Sequence, residues 1–347
     1  MAIDVKILKK WGEFCLDIRF QSQSKRIGIL GASGSGKSMT LKSIAGIETP
    51  DSGYIEIDGN ILFDKETKIN LKPQKRKVGY LFQNYALFPT MTVEQNIAAG
   101  LKGKKPVLRR RVGEMVRKFG LTGLENRYPH QLSGGQQQRT ALARIMAYEP
   151  KVILLDEPFS ALDMYLKDRM EQELLQMLEL YEGTVIMVSH NRDEIYRFSE
   201  EVLVMDEGKI AAFGKTEDLF QNPKSRTAAR LTGCKNFSKM TRIDDHTLDA
   251  EEWGVRLKVK QTVPQESKWI GYRAHDFIPV WGERGENMLP FRLKSSARLP
   301  FEQNYYIAAE DESPICWFVQ REKIKEIEEK GYPDYLWINE EKILFLN

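Results

Sequence analysis

The sequence predicts an α/β domain built on a mostly parallel sheet, followed by a smaller, mostly β domain. Three observations predict it. From Ile3 to about Thr232, short β-branched runs alternate with helical patterns, the rhythm of strands connected by crossover helices. One of those runs, Arg26 to Leu30, leads directly into the glycine-rich segment Gly31-Ala32-Ser33-Gly34-Ser35-Gly36-Lys37-Ser38 and then an apolar helix. Beyond Thr232 the rhythm stops: five of the six Trp lie at or after Trp253, and short alternating runs take over. The expected domains are therefore residues 1–232 and 233–347.

In the first domain, strands are expected at Arg26 to Leu30, Val78 to Phe82, Lys151 to Leu155, Thr184 to Ser189 and Glu201 to Met205. Gly53 to Phe63 reads as an antiparallel hairpin turning at Asp58-Gly59. Residues 91–147 read as a helical subdomain. Its basic cluster, Lys102, Lys104, Lys105, Arg109, Arg110 and Arg111 around Pro106, reads as a solvated helix face. In the second domain, Val255-Leu257-Val259 and Ile315 to Gln320 alternate as half-buried strands, and Arg321 to Lys330 reads as a helix burying Ile324 and Ile327. Tyr335 to Asn339 and Lys342 to Leu346 read as a terminal hairpin around Glu340-Glu341.

Bulk properties exclude several classes. With 52 Lys and Arg against 49 Asp and Glu, the net charge of +3 predicts no nucleic-acid partner. No run approaches the roughly 18 apolar residues a membrane-crossing helix requires, and Met1 to Glu13 has no secretory apolar core. Cys15, Cys234 and Cys316 are odd in number and far apart, which fits a reduced, cytosolic compartment.

The glycine-rich segment carries chemistry. Its glycines let backbone N–H groups wrap phosphate oxygens, and the helix dipole behind it favours anions. Lys37 reaches the terminal phosphates, and the Ser38 hydroxyl is placed for Mg²⁺. Gly31, Ser33, Gly34, Ser35, Gly36, Lys37, Ser38 and Met39 are thus the expected nucleotide cradle. A second element is Val152-Ile153-Leu154-Leu155-Asp156-Glu157, a buried strand delivering two acids to the same sheet edge. Asp156 is expected to hold the metal through its water shell, and Glu157 to orient or deprotonate the water attacking the γ-phosphate.

Leu132-Ser133-Gly134-Gly135-Gln136 is a second anion cradle, a Ser-Gly-Gly turn opening a helix shortly before the acidic strand. In this order and spacing the chain resembles the ABC ATPases. That resemblance implies a head-to-tail homodimer in which the P-loop of one subunit and Ser133, Gly134 and Gly135 of the other sandwich each ATP. It implies that Gln83 touches Mg²⁺ and the attacking water, that His190 contacts the γ-phosphate, and that Asp163, in Ser160-Ala161-Leu162-Asp163, crosses the dimer interface. Trp11 is the expected adenine-stacking residue by the same resemblance, with Phe14 or simple core packing as alternatives. Tyr85, Leu87 and Phe88 resemble the surface that receives a permease helix.

Within the family, the short stretch between Gln83 and Ser133 lacks the heptads of DNA-repair relatives, and each motif occurs once, unlike translation-type relatives. A separate subunit with a β-rich tail resembles importer ATPases. The resemblance implies a peripheral subunit on the cytoplasmic face of the membrane, served by a permease and an extracytoplasmic solute-binding protein. Two stretches, Trp11 to Ile18 and Lys75 to Gln83, are similar to molybdate-importer ATPases, so molybdate or a related oxyanion is the expected cargo, with sulfate, polyamine, iron or sugar as alternatives. Ile270 to Asp276 and Glu286 to Pro290 resemble degenerate pieces of the oligonucleotide-fold module that follows importer ATPases. Lys294, Ser295, Ser296 and Arg298 have the chemistry to bind an oxyanion but read as an exposed turn.

Overall fold

The computed structural model describes residues 2–160, 164–179, 181–308 and 314–347. The chain forms two compact units, Met1–Glu217 and Asp218–Asn347. The break in packing precedes the compositional change at Thr232, because the helix Arg226–Leu231 packs into the second unit. Its Ala229 is buried with Cys234, Leu344 and Leu346.

In the first unit, β1 (Ile3–Trp11) and β2 (Phe14–Ser22) form a hairpin whose turn contains Gly12 at φ +59°. Next come β3 (Arg26–Gly31), α1 (Lys37–Ala45), β4 (Ser52–Ile57), β5 (Asn60–Asp64), β6 (Ile69–Asn70) and β7 (Val78–Leu81). The helical part is α2 (Val93–Ala98), α3 (Lys105–Lys118) and α4 (Gly134–Ala147). The chain returns through β8 (Val152–Asp156), α5 (Met164–Glu179), β9 (Thr184–Ser189), α6 (Arg192–Phe198), β10 (Glu201–Asp206) and β11 (Lys209–Lys215).

Among the described residues, eleven strands share one sheet in the order β6-β5-β4-β1-β2-β11-β10-β3-β9-β8-β7. The block β10-β3-β9-β8-β7 is parallel throughout. β8 and β9 are buried along their whole lengths, as strands covered on both faces must be. β2 instead alternates buried and exposed positions over most of its length. One apolar cluster joins the two parts, with Val5, Ile7, Leu16 and Ile18 packed alongside Ile27, Leu41, Leu154 and Val188. The hairpin at Asp58-Gly59 forms as its sequence requires, both residues adopting positive φ.

The basic cluster is solvated at Lys102, Lys104, Lys105, Arg109 and Arg110, the last pairing with Glu114 at 3.3 Å, whereas Arg111 is half-buried, donating to the Met146 carbonyl at the end of α4 and pairing with Glu149 at 2.9 Å. Among the described residues, no helix is long and apolar enough to cross a membrane.

The second unit is mostly β, and its helix Arg321–Lys330 buries Ile327 and half-buries Ile324. It differs from expectation in two places. Tyr335–Trp337 and Leu344–Leu346 do not pair with each other; the first joins Ile278–Val280 and Met288–Pro290, the second joins Trp269–Tyr272. Between them lies a 3₁₀ turn, Glu340–Lys342, whose first residues are capped by the Asn339 side chain accepting from the Glu341 N–H. The segment read as a turn is a fully exposed edge strand, Leu293–Arg298, held by Glu302–Ile307.

Candidate active site at the edge of the parallel sheet

The strand order decides the site. Because β7, β8, β9 and β3 are neighbours and parallel, the segments leaving their C-terminal ends emerge side by side. These carry Gln83, Asp156 with Glu157, His190, and the glycine-rich loop.

The loop turns sharply between β3 and α1. Gly34 lies at φ +82° and Gly36, the residue preceding α1, at φ +99°. It is the backbone that calls for glycine at Gly36; a Cβ there would fall 2.9 Å from Leu16 Cδ1 and would also have to displace that side chain's end. Lys37 begins α1 and is buried; its ammonium donates to the carbonyls of Gly31 at 2.9 Å and Ala32 at 2.8 Å. Burial lowers its pKa, partly offset by the charges of Glu157 and Asp156. Ser35 is also buried, and a Cβ on Gly31 would fall 2.5 Å from Ser35 Oγ, so the two residues pack one against the other.

Asp156 ends β8 and is 7% exposed. Ser38 Oγ donates to its Oδ1 at 2.7 Å, and the Tyr80 hydroxyl donates to its Oδ2, also at 2.7 Å. Burial first, and then the bond to Asp156, raise the Tyr80 pKa, so the phenol stays a donor. Glu157 follows in the left-handed region at φ +46°, a conformation that costs a non-glycine residue about 1–3 kcal/mol. Its N–H donates to Val188 O, and its carboxylate lies 3.1 Å from His190 Nδ1.

A cavity of about 590 Å³ opens beside the loop, lined by Ser33, Gly34, Gly36, Lys37, Ser38, Met39, Gln83 and Glu157. Both aromatic candidates line it too. Trp11 is 60% exposed, whereas Phe14 is half-buried against the core.

The structure therefore brings together the loop residues, Gln83, Asp156, Glu157 and His190. It leaves Ser133, Gly134 and Gly135 outside this cavity. Ser133 caps α4 in a reciprocal pair with Gln136: its hydroxyl accepts the Gln136 N–H at 3.3 Å, and its own N–H donates to Gln136 Oε1 at 2.9 Å. Asp163 falls outside the described residues. Tyr85 departs from its expected place on an exposed surface: at 5% exposure it is buried, because positive φ at Tyr85 and Ala86 turns the chain inward while Arg144 holds both their carbonyls. Phe88 is the exposed ring of that segment, with the Arg144 guanidinium 5.4 Å from its centre.

Sequence reasoning missed Lys42 and Glu48, which line the cavity, and Tyr80. Lys42 carries a signal, since it lies four residues after Ser38, one turn further along the same face of α1. Tyr80 carries none, because its role depends on β7 lying beside β8.

Fold and site together define a P-loop ATP-binding cassette. A family model described as ABC transporter matches residues 17–160. The chain is 39% identical over 265 residues to the Fe(3+) ions import ATP-binding protein FbpC of Haemophilus influenzae, covering 75% of each chain. It is 42% identical over 240 residues to the sulfate/thiosulfate import ATP-binding protein CysA 1 of Agrobacterium fabrum, covering 67% of each. It is 35% identical over 317 residues to the spermidine/putrescine import ATP-binding protein PotA of Clostridioides difficile, covering 90% of this chain and 87% of that one. Among solved structures, the dimeric post-hydrolysis state of the ATP-binding cassette MJ0796 bound to ADP and Pi superimposes with TM-score 0.52 at 28% identity, over 62% of this chain and 98% of that one. The chain belongs to the ATP-binding subunits of ABC transporters, and it is an ATPase.

Proposed function

We propose that the chain is the motor of an ABC importer, acting as a homodimer on the cytoplasmic face of the membrane and coupling ATP hydrolysis to uptake through a separate permease. The observation that carries this reading is the convergence of Lys37, Ser38 and Glu157 at one cavity, with Asp156 hydrogen-bonded to Ser38 behind its wall. Lys37 and the N–H groups of Gly34 to Ser38 would bind the β- and γ-phosphates of ATP. Trp11 would stack on the adenine, with Phe14 as the alternative platform. Glu157 would take the proton of the attacking water. His190, in contact with Glu157, would orient it and reach the γ-phosphate.

The donor set suits Mg²⁺. Ser38 Oγ, a carboxylate oxygen of Asp156 and the Gln83 amide are hard oxygen donors, the kind Mg²⁺ takes alongside nucleotide phosphates. Bound there, the ion would neutralise charge developing on the phosphates. A second copy would bring Ser133, Gly134 and Gly135 to the open side of each cavity, a reading supported by the dimeric cassettes to which the fold is similar.

Permease contact is proposed at the cavity of about 500 Å³ lined by Phe82, Ala86, Phe88 and Tyr148. Its lining is mostly apolar, with Arg144 among it, and Phe88 and Tyr148 are exposed. The C-terminal unit is proposed to stabilise or regulate the dimer.

For cargo, the N-terminal resemblance supports a tetrahedral oxyanion, molybdate or sulfate; of the relatives described above, one is named for sulfate/thiosulfate and none for molybdate. A polyamine is the second reading, favoured because the alignment with the spermidine/putrescine protein runs over 90% of the chain. Reconstitution of the complete complex in vesicles separates them: an oxyanion-loaded binding protein should stimulate the ATPase. Stimulation by a polyamine-loaded protein alone would replace the cargo assignment and leave the motor assignment standing.

A further inference from the structure

We propose that Tyr80 is a positioning residue for the metal-binding carboxylate: its hydroxyl clamps one oxygen of Asp156 so that the other stays aimed, with Ser38, at a nucleotide-bound divalent cation. The inference rests on the assignment of Asp156 as metal ligand.

The two oxygens of Asp156 are held from opposite partners. Oδ1 accepts from Ser38, which belongs to the phosphate loop and its helix, and Oδ2 accepts from Tyr80, which belongs to the sheet. Both bonds measure 2.7 Å, short enough to fix the carboxylate plane. Tyr80 is itself immobilised. It lies within β7, opposite Leu154 of β8, its ring packs against the main core of this unit, and the Phe82 ring lies 4.4 Å from it. A donor on a rigid strand is a better reference point than one on a loop, because it does not move when the loop closes around phosphate.

Without the hydroxyl, a buried carboxylate oxygen loses its donor and the group can turn about its Cβ–Cγ bond, exchanging the two oxygens. Removing the partner that orients a metal ligand commonly weakens metal binding about 10- to 100-fold. Ser38 still holds the other oxygen here, so a loss of about five- to tenfold is expected.

The test is Tyr80→Phe, which deletes one oxygen atom and keeps the ring. Manganese is titrated by electron paramagnetic resonance into the ATP complex of the Glu157→Gln chain, with and without the Tyr80 change, and ATP affinity is measured separately in chelator. The expected result is Mn²⁺ affinity weakened about five- to tenfold with metal-free ATP affinity unchanged. A merely structural role would weaken both. Equal loss in both measurements, or Mn²⁺ affinity within twofold of the parent, overturns the proposal. Asp156→Asn keeps the two failures apart: if that variant also binds Mn²⁺ normally, Asp156 is not the ligand and the underlying assignment falls; if it loses Mn²⁺ while Tyr80→Phe does not, only the positioning role falls.

Discussion

His190 Nδ1 lies 3.1 Å from Glu157 Oε2, joining the residue that follows β9 to the residue that follows β8. The backbone reinforces this contact, because the Glu157 N–H donates to Val188, two residues before the histidine. The carboxylate is thereby aimed by its own strained φ on one side and by an imidazole on the other. Such an arrangement suits a group that must hold one water in one orientation.

Replacing Glu157 with Gln is expected to leave ATP binding intact and to lower turnover by about 10²- to 10⁴-fold, since the amide keeps the shape and loses the base. Phosphate release under saturating ATP measures it. Turnover at the parental rate would remove Glu157 from the chemistry.

The same variant, bound to ATP and unable to discharge it, should double in mass by light scattering. Ser133→Ala in that background should weaken the dimer, because the hydroxyl is the side-chain donor that the turn offers a phosphate across the interface. A monomer with and without ATP would contradict the two-subunit site.

Gly53 tests packing rather than chemistry. It sits at φ +121°, and a Cβ there would fall 2.0 Å from the Lys6 carbonyl oxygen, in the pairing of β1 with β4. Gly53→Ala should cost about 3 kcal/mol and lower Tm by roughly 6–12 °C. Gly59, at φ +70° with nothing within 4 Å of a Cβ, should cost only about 1 kcal/mol on the same change.

Cys234 is buried, and burial pushes its thiol up to about 11 from 9.0. The neutral thiol is favoured in the folded state, so its contribution to stability is complete below pH 9 and is lost as pH climbs toward 11. At pH 8 the folded chain should therefore leave Cys234 unalkylated by iodoacetamide while Cys15, which is partly exposed, reacts. Mass spectrometry of digested samples reads both sites; labelling of Cys234 at the rate of Cys15 would contradict its placement.

The sequence by itself determined the motifs, their order along the chain and the strands that carry them. Phosphate chemistry needs local features, a run of glycines before a helix and an apolar strand ending in acids, and local features survive in one dimension. It also determined the hairpin at Asp58-Gly59 and the helix Arg321–Lys330, where turn chemistry and apolar spacing act over a few residues. Tertiary structure alone decided which residues meet. Tyr80 and Asp156 are 76 positions apart and touch because β7 and β8 pair in parallel. Tyr85 is buried because two residues turn at positive φ and Arg144, 59 positions away, holds the turn from α4. Leu344–Leu346 joins Trp269–Tyr272 instead of its sequence neighbour for the same reason: a strand pairs wherever the rest of the fold leaves an edge and an apolar face, and no short stretch of sequence records that.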